Sequence, residues 1–243
     1  MTDYKIFHTI FFISVLLLMA VAYPLSGYFQ SKKLSRDLLS GFYNKVSWYK
    51  ASIFWSWIPS ILIVIAVLAT GNRPQQLGFV MPSQNINEVS STLYYIAMGA
   101  SLIYLIYNLY CIASFRYSSK IRDHHAQRVP SSLRVMLPVT VKEKRVWTLL
   151  SVTAGITEEI QYRGYLFFAI VMLLPKIHPI ALILISTLLF GLGHIYQGKE
   201  VIKPVVAGLF LASVFYITGS IYPVILLHIV QDLVAKELLS DKI

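Results

Sequence analysis

The sequence predicts an all-α integral membrane protein, a polytopic bundle of about seven to eight transmembrane helices. Hydrophobic residues make up 56% of the 243 residues, charged residues only 13%, and the mean hydropathy is +0.64. A soluble globular domain carries about 25% charged residues, so this composition excludes an ordinary soluble protein. Because the connections between apolar segments are short, we expect residues 1–243 to form a single membrane domain.

Seven apolar segments are long enough, or nearly so, to span the hydrocarbon layer, which takes about 20 residues in a helix. In chain order they are residues 6–25, 51–70, 93–114, 146–174, 180–196, 201–218 and 221–239. The fourth segment is long for one straight helix and contains Gly155 and Gly164. Tilt, a kink or a break that adds an eighth helix are all open for this segment.

The charges in the connections predict the orientation of the chain. Connections 30–50 and 115–145 are strongly basic, whereas the only charged residues in connection 71–90 are Arg73 and Glu88. The positive-inside rule then places the N-terminus outside and the C-terminus, with Lys236 and Lys242, in the cytoplasm. We interpret the net charge of +10 as orientation and attraction to the lipid bilayer, and expect no nucleic-acid partner. Since no organelle-targeting signal is recognisable, a prokaryotic cell membrane is the simplest expectation.

Ionisable side chains inside the apolar segments are the candidates for function, because each costs free energy in the bilayer unless it is paired or hydrated. In the fourth segment, Glu159 and Arg163 lie one helical turn apart and are predicted to pair. The adjacent Glu158 points about 100 degrees away around the helix, so it is left for a different partner. A buried ion pair that only holds helices together is the structural alternative.

Two further motifs place histidines in later apolar segments. His194 follows a phenylalanine, Phe190, and two glycines near a predicted helix end. His228 and Asp232 are four residues apart, which places imidazole and carboxylate on one helical face, where one can orient the other. Three helices therefore each supply ionisable groups. Catalysis or ion coupling would explain all three groups by a single function.

These motifs resemble those of the CPBP family, also called the CAAX protease and bacteriocin-processing or Abi family, which includes the Rce-type CAAX prenyl endopeptidase. The family's motifs are two glutamates with an arginine, a phenylalanine with a histidine, and a histidine with an asparagine or aspartate. They are matched in order by Glu158, Glu159 and Arg163, by Phe190 and His194, and by His228 and Asp232. The resemblance places the catalytic core at about residues 145–240. The segment Leu77-Gly-Phe is also similar to one common in the family.

The resemblance implies an intramembrane endopeptidase that hydrolyses a peptide bond of a membrane-associated peptide or protein. Glu158 would be the general base that activates water, with His194 holding that water, while Arg163 keeps Glu159 in place. His228, with Asp232, would stabilise the oxyanion. The Rce-type branch has asparagine where this chain has Asp232, and an aspartate donates a hydrogen bond only when protonated.

We expect no cofactor at this site. Two histidines and a glutamate are also a familiar zinc ligand set, in which case Glu158, His194 and His228 would be the ligands. The sequence has no HExxH helix, and the resemblance to Rce-type glutamate peptidases favours a metal-free site.

Two other classes of function are open from the sequence. A proton- or ion-coupled transporter also uses buried glutamate, histidine and aspartate as a relay. A non-catalytic immunity or regulatory membrane protein would use the fold without turnover. The comparison that separates them from a peptidase is cleavage of a membrane-associated peptide by the wild type and by motif variants.

Overall fold

The computed structural model describes residues 2–39, 44–84 and 89–239, and every regular element in these ranges is helical. This confirms the predicted all-α membrane bundle. Seven long helices, labelled here in chain order, form the fold. They are α1 (Thr2–Leu17, a π-helical turn Leu18–Ala22, and Tyr23–Leu39), α2 (Lys45–Ala69), α3 (Ser91–Tyr117), α4 (Val141–Glu159, a π-helical turn Ile160–Tyr165, and Leu166–Leu173), α5 (Pro179–Gly193), α6 (Ile202–Thr218) and α7 (Ile221–Leu238).

Four shorter helices occupy the connections. They are the 3₁₀ helix Pro74–Leu77, the α-helices Ser119–Gln127 and Ser131–Arg134, and the 3₁₀ helix Ile195–Val201. Four stretches are long and apolar enough by themselves to cross a membrane, namely Thr9–Leu34, Lys45–Ala69, Ser91–Tyr117 and Ile195–Thr218. These apolar helices fit an integral membrane protein.

The first and fourth apolar segments differ in detail from their predicted form. The helix that contains residues 6–25 continues to Leu39, because Pro24 is accommodated just after a π-helical turn and does not end it. Helix α4 contains no break, so the described part of the bundle has seven long helices. Its Gly155 serves close packing, since a Cβ there would lie 3.1 Å from the backbone nitrogen of Ile229 in α7.

Helix α4 lies at the centre of the bundle and packs against α2 and α7, while α7 also packs against α3, and α5 packs against α6. All six residues of its π-helical turn are buried. One hydrophobic core joins side chains from these helices. That residues 1–243 form a single membrane domain stays a prediction.

The connection after α2 folds back onto this centre. Leu77 is buried, and the Gly78 carbonyl accepts a hydrogen bond of 2.8 Å from the backbone nitrogen of Ile221 at the start of α7. The Leu77 carbonyl lies so close to Gly164 that a Cβ at that glycine would be 2.9 Å away. The Leu77-Gly-Phe segment therefore packs against two of the three motif-bearing helices, α4 and α7.

The basic connections meet at one end of the bundle. Arg116 near the end of α3, Lys144 near the start of α4 and Lys236 near the end of α7 line one cleft. Their positions agree with the predicted sorting of connections, and the assignment of this end to the cytoplasm stays a prediction. Glu88 and Lys242, which entered the prediction of orientation, lie outside the described residues.

Candidate active site

The first motif lies at the junction between the regular part of α4 and its π-helical turn. Polar contacts with other helices hold this turn in place. The Ser186 hydroxyl of α5 donates to the Tyr162 carbonyl at 2.8 Å. The Gln161 side chain donates to the Ser60 hydroxyl of α2 at 2.9 Å and accepts from the Tyr23 hydroxyl of α1 at 2.9 Å. Single π-helical turns of this kind occur frequently at functional sites.

Glu159 and Arg163 form a fully buried pair. Arg163 Nη1 donates to Glu159 Oε1 at 2.7 Å, and neither side chain is exposed. The predicted pairing of these two residues is therefore confirmed. Arg163 Nη2 also donates to the Gly208 carbonyl of α6 at 3.1 Å, and the guanidinium lies 4.5 Å from the centre of the Phe190 ring. A buried charge pair needs such additional partners to offset its loss of hydration.

His228 bonds to the same carboxylate oxygen from the opposite helix. Its Nδ1 lies 2.7 Å from Glu159 Oε1. Because an ionised carboxylate only accepts hydrogen bonds, this contact puts a proton on Nδ1 and turns Nε2 away from Glu159. Glu159 thus orients His228, the role that the sequence suggested for Asp232. The spacing of His228 and Asp232 places them on one face, as predicted, but their closest contact is 3.9 Å, beyond a hydrogen bond.

The other two carboxylates lie at the free side of the His228 ring. Glu158 Oε2 and Asp232 Oδ2 are each 3.9 Å from His228 Nε2. The Glu158 and Asp232 side chains are 28% and 32% exposed, in contrast to 5% for His228. In the described part of the chain, Glu158 Oε2 has no hydrogen-bond partner. The site therefore has a fully buried layer of Glu159 and Arg163 and a partly exposed layer of Glu158 and Asp232, with His228 between them.

His194 joins the site through Phe190. Its Nδ1 lies 2.8 Å from the Phe190 carbonyl, which only accepts, so the proton is on Nδ1 and the Nε2 lone pair is free. The Phe190 ring lies 4.6 Å from the His194 ring and 5.8 Å from the His228 ring, between centroids. The structure thus links five predicted residues directly through carboxylate and nitrogen contacts and brings His194 to them across Phe190.

The donor atoms are not arranged as a preformed metal site. Within the described ranges, no three histidine, cysteine, aspartate or glutamate side chains converge as metal ligands. The Nδ1 contacts of His228 with Glu159 and of His194 with the Phe190 carbonyl leave both Nε2 atoms free, so these contacts do not themselves exclude a metal. The contact of 3.9 Å between His228 Nε2 and Glu158 Oε2 is longer than the roughly 3.3 Å that separates two ligands of a tetrahedral zinc ion.

Residues 142–234 match the family model described as Type II CAAX prenyl endopeptidase Rce1-like. Over this segment the chain is similar to the Rce1-like family. It contains all six predicted site residues, so the resemblance read from the motifs is confirmed at the level of the family. The Rce1-like segment runs from the start of α4 into α7, and the family that it resembles is described as one of CAAX prenyl endopeptidases. None of the curated proteins and none of the solved structures compared with the chain gives a significant match.

Several residues that support the site were absent from the sequence prediction. The Gly208 carbonyl accepts a hydrogen bond from Arg163. Because Gly208 has no side chain, it also leaves room for Phe190, whose ring would lie 2.9 Å from a Cβ at this position. Gln161 ties the motif helix to α1 and α2. A glycine inside an apolar helix and an amide beside two glutamates are the signals that would have pointed to them.

Proposed function

We propose that this protein is an intramembrane endopeptidase that hydrolyses a peptide bond of a membrane-associated peptide or protein through a water activated by Glu158. The observation that carries the proposal is the double hydrogen bond of Glu159 Oε1, at 2.7 Å to Arg163 and 2.7 Å to His228. It fixes the His228 ring from the buried side. The Glu158 side chain is 28% exposed, and its Oε2 is buried without a hydrogen-bond partner within the described ranges.

Glu158 acts as the general base in this mechanism. It accepts a proton from a water molecule, the water oxygen forms a bond to the peptide carbonyl carbon, and the carbonyl oxygen becomes an oxyanion. When the carbon–nitrogen bond breaks, Glu158 returns the proton to the leaving amine. Its side chain is 28% exposed, while its buried Oε2 lacks a hydrogen-bond partner within the described ranges, and a bound water would supply that partner.

His228 stabilises the oxyanion as an imidazolium. Its Nδ1 proton is bound to Glu159, so donation to the oxyanion requires a second proton on Nε2. The three carboxylates of Glu158, Glu159 and Asp232 lie within 3.9 Å of this ring and favour its charged form. Asp232 thereby acts through charge near Nε2, while Glu159 sets the orientation of the ring.

His194 holds the attacking water. Its Nδ1 proton is directed to the Phe190 carbonyl, which leaves the Nε2 lone pair free to accept a hydrogen bond from water. A water that is held by His194 and deprotonated by Glu158 is oriented for attack before the substrate reacts.

The test is cleavage of membrane-associated peptides by the purified, folded protein, with a prenylated CAAX-type peptide as the first substrate. Glu158→Gln and His194→Ala are expected to lower the rate by about 10² to 10⁴. Glu200→Gln is the matched control, because it removes a carboxylate that pairs with Lys203 outside the motifs.

Two results would count against this proposal. Equal cleavage by the wild type and both motif variants would remove Glu158 and His194 from the mechanism. Activity that is lost on thorough chelation and returns only with added zinc would replace activation by a carboxylate alone with a metal mechanism.

A further inference from the structure

A cleft of about 290 Å³ lies at the end of the bundle where α3 ends, α4 begins and α7 ends. We call it the basic cleft. The three helices all contribute cations to its lining, which includes Arg116, Lys144, Arg145, Lys236 and the acidic Glu237. It lies apart from the peptidase site, although Lys236 is one helical turn from Asp232 on α7.

The lining carries more positive charge than its own carboxylate offsets. Glu237 Oε2 is 3.7 Å from Lys144 Nζ, and Glu237 Oε1 is 4.0 Å from Lys236 Nζ. Four cations thus face one lining carboxylate, and Arg116 and Arg145 are exposed. A cleft of this charge between membrane helices favours an anion, and a guanidinium fork suits the oxygens of a phosphate.

An apolar stripe continues from the cleft along α4. Arg145, Leu149 and Val152 follow each other at helical spacing on one face, and Leu149 and Val152 are 61% and 36% exposed. A face that begins with a cation and continues with exposed apolar side chains matches a molecule with an anionic head and an acyl chain. A free phosphate ion would leave the stripe unused.

We propose that the basic cleft binds the headgroup phosphate of an anionic phospholipid, with one acyl chain along the α4 stripe. The phosphate takes Arg145 and Lys236 as partners and competes with Glu237 for the lysines. The site is independent of the peptide substrate, because its lining residues lie outside the three motifs.

Binding of short-chain phosphatidylglycerol to the full-length protein in a neutral detergent tests the proposal. We expect saturable binding of one lipid per chain and no saturable binding of short-chain phosphatidylcholine. The double variant Arg145→Gln/Lys236→Gln is expected to bind about thirtyfold more weakly. The matched control Arg73→Gln/Lys176→Gln removes the same charge at the opposite end of the bundle and is expected to bind like the wild type.

A gain-of-binding variant keeps the test decisive if the double variant fails to fold. Glu237→Gln removes the competing carboxylate, so phosphatidylglycerol should bind more tightly to it than to the wild type. Unchanged or weaker binding by Glu237→Gln would overturn the proposal. Equal weakening of phosphatidylglycerol binding in the double variant and in the control would attribute the effect to overall charge and overturn the proposal. Binding of glycerol phosphate or inorganic phosphate as tightly as the lipid would also overturn it, because the cleft would then be an anion site that does not use an acyl chain.

Discussion

At the scale of single residues, Glu158 and Glu159 are neighbours in the chain but have different surroundings. We therefore assign them different roles, catalysis to Glu158 and support of the site to Glu159. Glu159 is fully buried and accepts hydrogen bonds from Arg163 and His228. Glu158 is 28% exposed. Helical spacing alone predicts the bond from Arg163, because four residues make one turn. It does not predict the bond from His228, 69 positions away in sequence, since that contact depends on how α4 packs against α7.

Arg163 is therefore expected to matter for stability and Glu158 for activity. Arg163→Met leaves a buried carboxylate with a single partner and should lower the free energy of unfolding by about 3 to 5 kcal/mol. Glu158→Gln should leave stability close to that of the wild type while lowering the cleavage rate by about 10² to 10⁴. Thermal unfolding in detergent measures the stability of both variants, and the peptide-cleavage assay measures their activity. A stable Arg163→Met variant would contradict the supporting role.

Asp232→Asn tests the position at which the chain departs from the asparagine form of the motif. Glu159 orients His228, and Glu158 still lies beside Nε2, so we expect the variant to retain activity within about tenfold of the wild type. Asp232→Leu, which removes both charge and hydrogen bonding, is expected to lose more. The cleavage rates of the two variants decide the matter, and complete loss in Asp232→Asn would mean that the charge itself is essential.

At the scale of elements, the π-helical turn Ile160–Tyr165 sets the direction of the motif residues along α4. The apolar pattern predicts a helix here and leaves its internal geometry open, because a π-helical turn has the same hydrophobic character as the helix around it. Contacts from Ser60 and Ser186 fix the turn from two other helices. Neither contact has a signature in the local sequence.

Helix α6 supports the site through a close approach at Gly208. A Cβ at this position would lie 2.9 Å from the Phe190 ring and 3.4 Å from Arg163 Nη2. Gly208→Ala is therefore expected to displace Phe190, which contacts the rings of both motif histidines, and to reduce the cleavage rate at least tenfold. The matched control is Gly99→Ala in α3, where no atom lies within 4 Å of the new Cβ. Equal activity in the two variants would show that the close approach at Gly208 is not needed.

At the scale of the whole molecule, the motif-bearing helices depend on parts of the chain outside the Rce1-like segment. The Tyr23 hydroxyl of α1 and the Ser60 hydroxyl of α2 both bond to Gln161, and the Leu77 carbonyl packs against Gly164. Hydropathy predicts the positions of the seven long helices, because each coincides with an apolar segment, although only four stretches in the described part of the chain are long and apolar enough by themselves to cross a membrane. It carries no information on which helices touch, so the central position of α4 emerges only from the structure.

The sorting of basic connections makes the orientation of the molecule testable. In a Cys111→Ser background, Gln75→Cys lies in the connection predicted to be external, and Arg128→Cys lies in the basic connection predicted to be cytoplasmic; both native side chains are exposed. A membrane-impermeant thiol reagent added to intact cells should label Gln75→Cys, and should label Arg128→Cys only after permeabilisation. The reverse pattern would invert the bundle and place the basic cleft at the outer leaflet.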